Sequence, residues 1–362
     1  MAKRSFRIAL VAVLASLLLL FAVAGWFVHR ALEYPDERHP GRGAEVEVEI
    51  RTGMSFPAIA RVLSERGVIS KPSWFRVYGM YRGVTTNVKS GKYVLHDNQT
   101  PRQVLDVLLA GVKDKTVKVT LPEGKNMLEY FGWLEQAGVA KASALEALAR
   151  DRDFLQQHGI AGDTVEGYLF PETYDFRVGE KPARVLERLI DQHRTVWNEI
   201  ARTHAKDLAR TKERMKWSDR DVLVMSSIVE KEAVAASEQP RIAQVFINRL
   251  SSPSFQPKRL ETDPTIRYGC MVPVQKSAAC QGWDPAGRLF TAQLRDKDNP
   301  YNTYEHEGLP PGPICNPGRG AIEAVMNADG SGYFYFVSKN DGTHVFSKTF
   351  AEHTKNVEKY QK

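Results

Sequence analysis

Two glutamates close an apolar run in the stretch Asp221–Leu250, DVLVMSSIVEKEAVAASEQPRIAQVFINRL. Val222, Met225, Ile228 and Val229 recur at helical spacing and mark an apolar face. Glu230, Lys231 and Glu232 arrive before that run has ended. Positions i and i+2 point to different sides of a helix. Glu232 lies seven residues after Met225 and four after Ile228, on the stripe that faces the core, whereas Glu230 lies four after Ser226 and three after Ser227, on a more polar side. A carboxylic acid on a buried face costs free energy unless it is paired or protonated. Burial raises its pKa, which is what a general acid working near neutral pH requires. The plain alternative is a solvated helix end that carries a charge run. The whole stretch reads as two helices broken near Pro240.

Loops follow. Thr262–Thr265 (TDPT), Tyr268-Gly269, Tyr301–Tyr304 (YNTY, after Pro300), Gly308–Ile314 (GLPPGPI) and Asn316–Gly318 (NPG) come in that order. Pro and Gly interrupt them, so they read as ordered loops rather than long helices. Tyrosines stack on sugar faces, and Asn and Thr groups hydrogen-bond hydroxyls, so loops of this composition over a carboxylate suit a polar, ring-shaped ligand. Singly, each is better explained as a structural turn.

Taken together with SSIVEKE (Ser226–Glu232), VFINRL (Val245–Leu250) and, upstream, EGYLFPETY (Glu166–Tyr174), this ordered set closely resembles the endolytic murein transglycosylase, or YceG-like, family. The resemblance covers essentially the whole chain after the first helix. It implies that the second glutamate of the E-K-E motif, Glu232, is the catalytic acid and base, in agreement with the face argument, with Glu230 as runner-up. It implies a substrate-binding set of Glu230, Ser227, Asp263, Tyr301, Asn302, Thr303 and Tyr304. A transglycosylase of this kind uses one glutamate to protonate the leaving oxygen and then to deprotonate the muramyl 6-hydroxyl, which attacks its own anomeric carbon and gives a 1,6-anhydro end without water. No external nucleophile is needed, so proximity contributes strongly. A hydrolase would add a second carboxylate, and Asp263 is the one carboxylate in the loops that could play that part. The expected substrate is the peptidoglycan glycan strand, cut between MurNAc and GlcNAc, with termination of strand elongation as the expected role. Association with peptidoglycan synthases is implied by the family only. The other readings are a non-catalytic glycan-binding scaffold and a hydrolytic muramidase.

The elements that must position these residues define an α+β chain of 362 residues with a formal net charge of +7. Ile8–Val28 is apolar without a charge and long enough to span a bilayer. Lys3, Arg4 and Arg7 precede it, which predicts a cytoplasmic amino terminus and an exported bulk, a single-pass protein of the cell inner membrane with a periplasmic catalytic domain. A cleaved signal peptide at Ala22-Val23-Ala24 is the competing reading. The expected organisation is an anchor over 1–28, a linker over 29–45, a small α/β subdomain over 46–115 and a larger catalytic domain over 116–362. In the subdomain, alternating Val46–Ile50, helical Phe56–Arg66 and Lys71–Tyr81, a strand over Ser90–Leu95 and a helix over Arg102–Ala110 give a β-α-α-β-α order. This resembles a LysM-like subdomain, and the resemblance implies glycan binding. Downstream come a strand at Val117–Leu121, helices over Met127–Ala137, Ala142–Arg150 and Lys181–Arg202, and a loop-like Glu166–Phe176. Tyr333–Val337 and His344–Phe346 pair around the Asn340-Asp341-Gly342 turn, before a closing helix over Phe350–Tyr360.

Lys and Arg form no concentrated stripe with interleaved aromatics, so nucleic acid is not an expected partner. Cys270, Cys280 and Cys315 all lie in the expected exported half, where one disulfide is plausible. Cys270 with Cys280 closes the shortest loop, but spacing does not choose among three pairings. Neither cysteines nor the scattered histidines form a ligand cluster, so no metal and no cofactor are expected.

Overall fold

The computed structural model describes residues 2–112 and 115–361, with residues 2–13 and 15 described by backbone alone. Contacts divide the chain into two compact units, Met1–Asp114 and Lys115–Lys362. Helix and small sheets are mixed throughout.

The first unit begins with α1, Ala2–Glu33, which continues past Val28 into the stretch expected to be linker. Arg30 sustains that extension by pairing with Glu33 and Glu37, both at 3.4 Å. Within the described side chains, Ser16–Asp36 is long and apolar enough to cross a membrane. The side chains of Lys3, Arg4 and Arg7, on which the expected orientation rests, lie outside the described residues. Strand β1, Glu45–Ile50, pairs antiparallel with β2, Gly91–His96, in the register Glu45↔His96 to Ile50↔Gly91. Alternation in EVEVEI buries Val48 and Ile50. Helices α2, Phe56–Glu65, and α3, Pro72–Tyr81, lie between the strands in sequence, and α4, Pro101–Ala110, follows them. Thr100 and Gln103 form a capping box on α4, and Pro101 occupies its first turn, where a missing N–H costs nothing. Phe56 stacks on Phe75 at 5.5 Å, and Gly79 is required beside them because a Cβ there would fall 2.3 Å from the Phe56 ring.

The second unit holds the motifs. Strand β3, Thr116–Thr120, pairs antiparallel with β4, Thr173–Arg177. The end of EGYLFPETY is thus a strand rather than loop: Tyr174 and Phe176 alternate inward with period 2. Helices α5 (Met127–Gln136), α6 (Ala142–Ala149), α7 (Arg152–Gln157), α8 (Pro182–Thr203) and α9 (Ala205–Met215) lead to α10, Asp219–Glu232. The break before α11, Gln239–Ser251, falls at residues 233–238, and Pro240 sits inside the first turn of α11. TDPT does not end as a loop either: Pro264 opens α12, Asp263–Met271. After α13, Thr291–Leu294, comes α14, Arg319–Met326, hidden in the sequence behind Gly318 and Gly320. The hairpin β5 (Tyr335–Ser338) and β6 (His344–Ser347) turns through Asn340 and Gly342 at positive φ, and α15, Phe350–Tyr360, closes the chain.

Helix α10 is the centre of this unit. It packs against α14, α11 and α12. Every residue from Val222 to Val229 is buried, Ser226 and Ser227 included. The polar side expected from those serines therefore does not exist. Their hydroxyls are satisfied within the helix, Ser226 Oγ donating to Val222 O at 2.8 Å and Ser227 Oγ to Val224 O at 2.7 Å. A helix apolar all round is a core helix, and only its two ends, residues 219–221 and 230–232, reach the surface.

Candidate active site

Ser218 and Asp221 form a capping box that fixes where α10 begins, and hence where its last turn ends. That turn carries Glu230, Lys231 and Glu232. A carboxylate at a helix C-terminus meets the negative end of the macrodipole, which favours the neutral acid. Both glutamates are half-buried, and they part company there. Glu230 Oε2 accepts the Gly318 N–H at 3.1 Å, and Lys231 Nζ donates to Gly124 O at 3.0 Å. These two residues stitch the helix end to the turns after β3 and before α14. Burial raises the pKa of Glu230, and the Gly318 N–H opposes the rise.

Glu232 faces other groups. Its pKa is pushed up to about 7, first by burial of the carboxyl and then by the negative charge of Asp263, with Arg249 pulling the other way. Asp263, exposed at the start of α12, accepts a hydrogen bond from the Tyr304 hydroxyl at 2.9 Å. Burial and the nearby Asp263 carboxylate raise the Tyr304 phenol, so it stays a donor. Arg249, from α11, is only 7% exposed. It donates through Nε to Phe334 O at 2.7 Å and through Nη1 to Leu260 O at 2.5 Å, lies over the Phe255 and Tyr335 rings at 5.4 and 5.5 Å, and has Glu261 at 4.0 Å. It is thus a cation fixed by carbonyls and ring faces, within electrostatic reach of Glu232. Chemically, the cluster can hold one proton on Glu232 near neutral pH and tolerate its loss.

The remaining residues expected at a ligand separate into two groups. Ser227, Asn302 and Thr303 are fully buried or nearly so, and all three serve loop construction. Ser227 Oγ accepts the Ile314 N–H at 3.0 Å, which clips GLPPGPI onto α10. Asn302 Nδ2 donates to Gln293 O, Leu294 O and Asp296 O, and its Oδ1 accepts the Tyr304 N–H at 3.0 Å. Thr303 Oγ1 accepts the Thr262 N–H at 3.1 Å and pairs with Thr265 Oγ1 at 2.9 Å. Each has spent its polar groups on backbone or a neighbouring hydroxyl. Tyr301 is half-buried with its ring 4.8 Å from that of Tyr268, and burial pushes its phenol up to about 12. YNTY therefore sends one tyrosine towards Tyr268 and the other towards Asp263.

Sequence reasoning assigned no role to Arg249, Glu166 or Asn316. Arg249 follows Val245 and Phe246 at helical spacing within an apolar run, the same sign of a charge on a buried face that singled out Glu232. Glu166, 2% exposed, accepts both from Met127 N at 3.1 Å and from Asn316 Nδ2 at 3.0 Å. Burial outweighs those bonds and lifts its pKa to about 8. Asn316 Oδ1 accepts the Gly167 and Leu169 N–H groups, which ties NPG to EGYLFPETY. No local pattern announces these two roles, because Glu166 and Asn316 meet across 150 residues of sequence and Met127 lies 39 residues from Glu166. Cys270 and Cys280 are joined as a disulfide, and Cys315 is free and buried.

The second unit is thus a largely helical α+β domain built around one buried helix, with Glu232 poised at that helix's end among motif loops. The chain belongs to the YceG-like family, whose model matches residues 48–359. The endolytic murein transglycosylase of Bacillus subtilis is 31% identical over 331 residues, 87% of this chain and 84% of its own length. The endolytic murein transglycosylase of Streptococcus pneumoniae is 27% identical over 341 residues, 86% of this chain and 58% of that protein. A solved YceG-like protein of Listeria monocytogenes superposes with a TM-score of 0.54 at 28% identity, covering 87% of this chain and 99% of its own.

Proposed function

We propose that this chain is a membrane-anchored lytic transglycosylase that cuts within peptidoglycan glycan strands between MurNAc and GlcNAc, with Glu232 as acid and then base. The observation that carries the reading is the setting of Glu232, a carboxylic acid poised at about 7 among Asp263, Tyr304 and Arg249 in a YceG-like chain. Protonated Glu232 gives its proton to the glycosidic oxygen as the bond to the muramyl anomeric carbon breaks. The carboxylate left behind is balanced by Arg249 and takes the proton of the muramyl 6-hydroxyl. That oxygen bonds to the anomeric carbon and closes the 1,6-anhydro ring. Proton count and bond count return to their start, so no water is consumed. The Tyr304–Asp263 pair orients the sugar or the acid. Glu230 supports the helix end.

In the same reading α1 anchors the chain in the cell inner membrane with its amino terminus cytoplasmic, the first unit is a LysM-like glycan-binding subdomain, and cleavage ends the elongation of nascent strands beside peptidoglycan synthases. A hydrolytic muramidase is the second reading, favoured by the charge of Asp263 within electrostatic reach of Glu232, a second carboxylate of the kind hydrolases use. Mass spectrometry of products from purified glycan strands decides between them. Anhydro ends are lighter than hydrolysed ends by one water, and a chain that binds strands without cleaving them is a scaffold.

A further inference from the structure

Helix α3, in the first unit, carries two apolar faces. Phe75, Tyr78 and Gly79, at i, i+3 and i+4, are buried and face the core of that unit. Trp74, Val77 and Tyr81, at i, i+3 and i+7, form a second stripe on the outer side. Trp74 and Val77 are half-buried, Tyr81 is 81% exposed and Met80 beside it 60%. The outer face of a surface helix is ordinarily polar, and a contiguous apolar stripe that opens outwards marks a docking surface.

The neighbour of this stripe is the end of α1. The Phe27 ring lies 4.7 Å from the Trp74 ring, and the Tyr34 ring lies 6.4 Å from it. Phe27 and Val28 close the uncharged apolar run, before His29 and Arg30. The junction beyond them is built rather than loose. Helix α1 is continuous to Glu33, and Tyr34 is 4% exposed with its hydroxyl donating to Lys71 O at 3.0 Å. Glu37 takes Lys71 at 2.6 Å and Arg30 at 3.4 Å, and Arg102 clasps both oxygens of Asp36 at 2.8 and 2.9 Å. The stretch from Val28 to Tyr34 rises only about 9 Å as helix, and the polar layer on each side of a bilayer is roughly 5–8 Å deep. The first unit therefore has no slack with which to stand away from a bilayer that α1 crosses. Trp74, packed on Phe27, falls at the level of the interface, where tryptophan and tyrosine rings settle with their polar tips in the headgroup layer.

We propose that the outer face of α3, formed by Trp74, Val77 and Tyr81, is a lipid-contact surface that lies on the phospholipid interface of the membrane α1 crosses and holds the first unit against the headgroups. The inference rests on the reading of α1 as a membrane anchor. Continuity of the stripe with the end of α1 is what favours lipid over a protein partner.

The test uses the full chain reconstituted in vesicles of phosphatidylethanolamine and phosphatidylglycerol, with a nitrobenzoxadiazole fluorophore on one introduced cysteine at a time. Cys270 and Cys280 are joined and Cys315 is buried, so the native cysteines do not compete for the label. Ser73→Cys and Tyr81→Cys place the label on the outer face of α3, Leu18→Cys places it within α1, and Glu47→Cys places it on the side of β1 that points away from the core. All four native side chains are exposed. Lipids with a nitroxide on the headgroup should quench the Ser73→Cys and Tyr81→Cys labels and spare the Glu47→Cys label, and lipids with a nitroxide on the acyl chain should quench the Leu18→Cys label. Tyr81→Asp should abolish quenching of the Ser73→Cys label, whereas Tyr81→Phe should keep it. Equal quenching of the Glu47→Cys and Tyr81→Cys labels, or an unquenched Tyr81→Cys label beside a quenched Leu18→Cys label, would overturn the lipid contact while the anchor stands. Quenching of the Tyr81→Cys label without the Leu18→Cys label would keep the contact and remove the anchor, and quenching of neither would remove both.

Discussion

Glu230 and Glu232 stand two residues apart in the last turn of α10, yet Glu230 accepts the Gly318 N–H while Glu232 lies among Asp263, Arg249 and Tyr304. The difference between them is thus one of partners at a helix end, and single substitutions should separate it. Glu232→Gln is close to isosteric and removes the titratable proton. It should lower strand cleavage by about 10²–10⁴ with little change in melting temperature. Glu230→Gln should keep turnover within a few-fold and lower the melting temperature as the Gly318 contact weakens. Inactivity of Glu230→Gln beside an active Glu232→Gln would reverse the assignment.

The pH profile carries a second expectation. Donation needs protonated Glu232, so cleavage should fall as pH rises through about 7. Asp263 raises that value by repulsion, and its side chain is exposed. Asp263→Asn removes the repulsion, lowers the pKa of Glu232 and should move the falling limb to lower pH. A profile identical to that of the parent would show that Asp263 does not act on the acid.

Much of this site was legible because helices announce themselves by period. Glu232 was found from its spacing to Met225 and Ile228, and α5, α8 and α15 from similar patterns. Reasoning failed where Gly and Pro mislead. Pro264 and Gly318 look like loop residues, but each stands at a helix start, a position that suits both. Composition also does not show which polar groups a loop has already claimed for itself. Asn302 has the composition of a ligand contact, and only the fold reveals that backbone carbonyls have claimed its amide.

Those contacts set what substitution of the loops should do. Asn302→Ala strands the Leu294 and Asp296 carbonyls and the Tyr304 N–H, while Gln293 O keeps the Asp296 N–H. Ser227→Ala leaves the Ile314 N–H without its acceptor. Each unpaired buried group costs about 1–3 kcal/mol. Both variants should therefore lose activity in step with melting temperature, Asn302→Ala the more severely. Thermal unfolding and cleavage measured on the same samples check this, and an Asn302→Ala protein of parental stability but at least about tenfold lower cleavage, or about 1.4 kcal/mol in the barrier, would return Asn302 to the ligand-contact set.

Glu166 offers an expectation that is independent of catalysis. Its carboxyl sits at the amino end of α5, where the helix dipole and the Met127 N–H favour the anion, yet burial prevails and lifts its pKa from 4.5 to about 8. A raised folded pKa means that the native state binds more protons than the unfolded chain between about 4.5 and 8. The stability slope with pH follows the difference in bound protons, so it is negative across that window. The contribution is fully present below 4.5 and lost as pH rises through about 8, at roughly 1.4 kcal/mol for each pH unit crossed inside the window. Glu232 adds the same sign over the narrower window from 4.5 to about 7. The melting temperature of the full chain should therefore be higher at the acid end of this range, to the extent that these two groups govern it. Glu166→Gln cannot titrate. It should melt lower than the parent near pH 5, where one oxygen must serve both Met127 and Asn316, and its melting temperature should decline less between pH 5 and 8. Melting curves of parent and variant across that range decide the matter, and equal slopes would mean that Glu166 is ionised in the folded protein throughout.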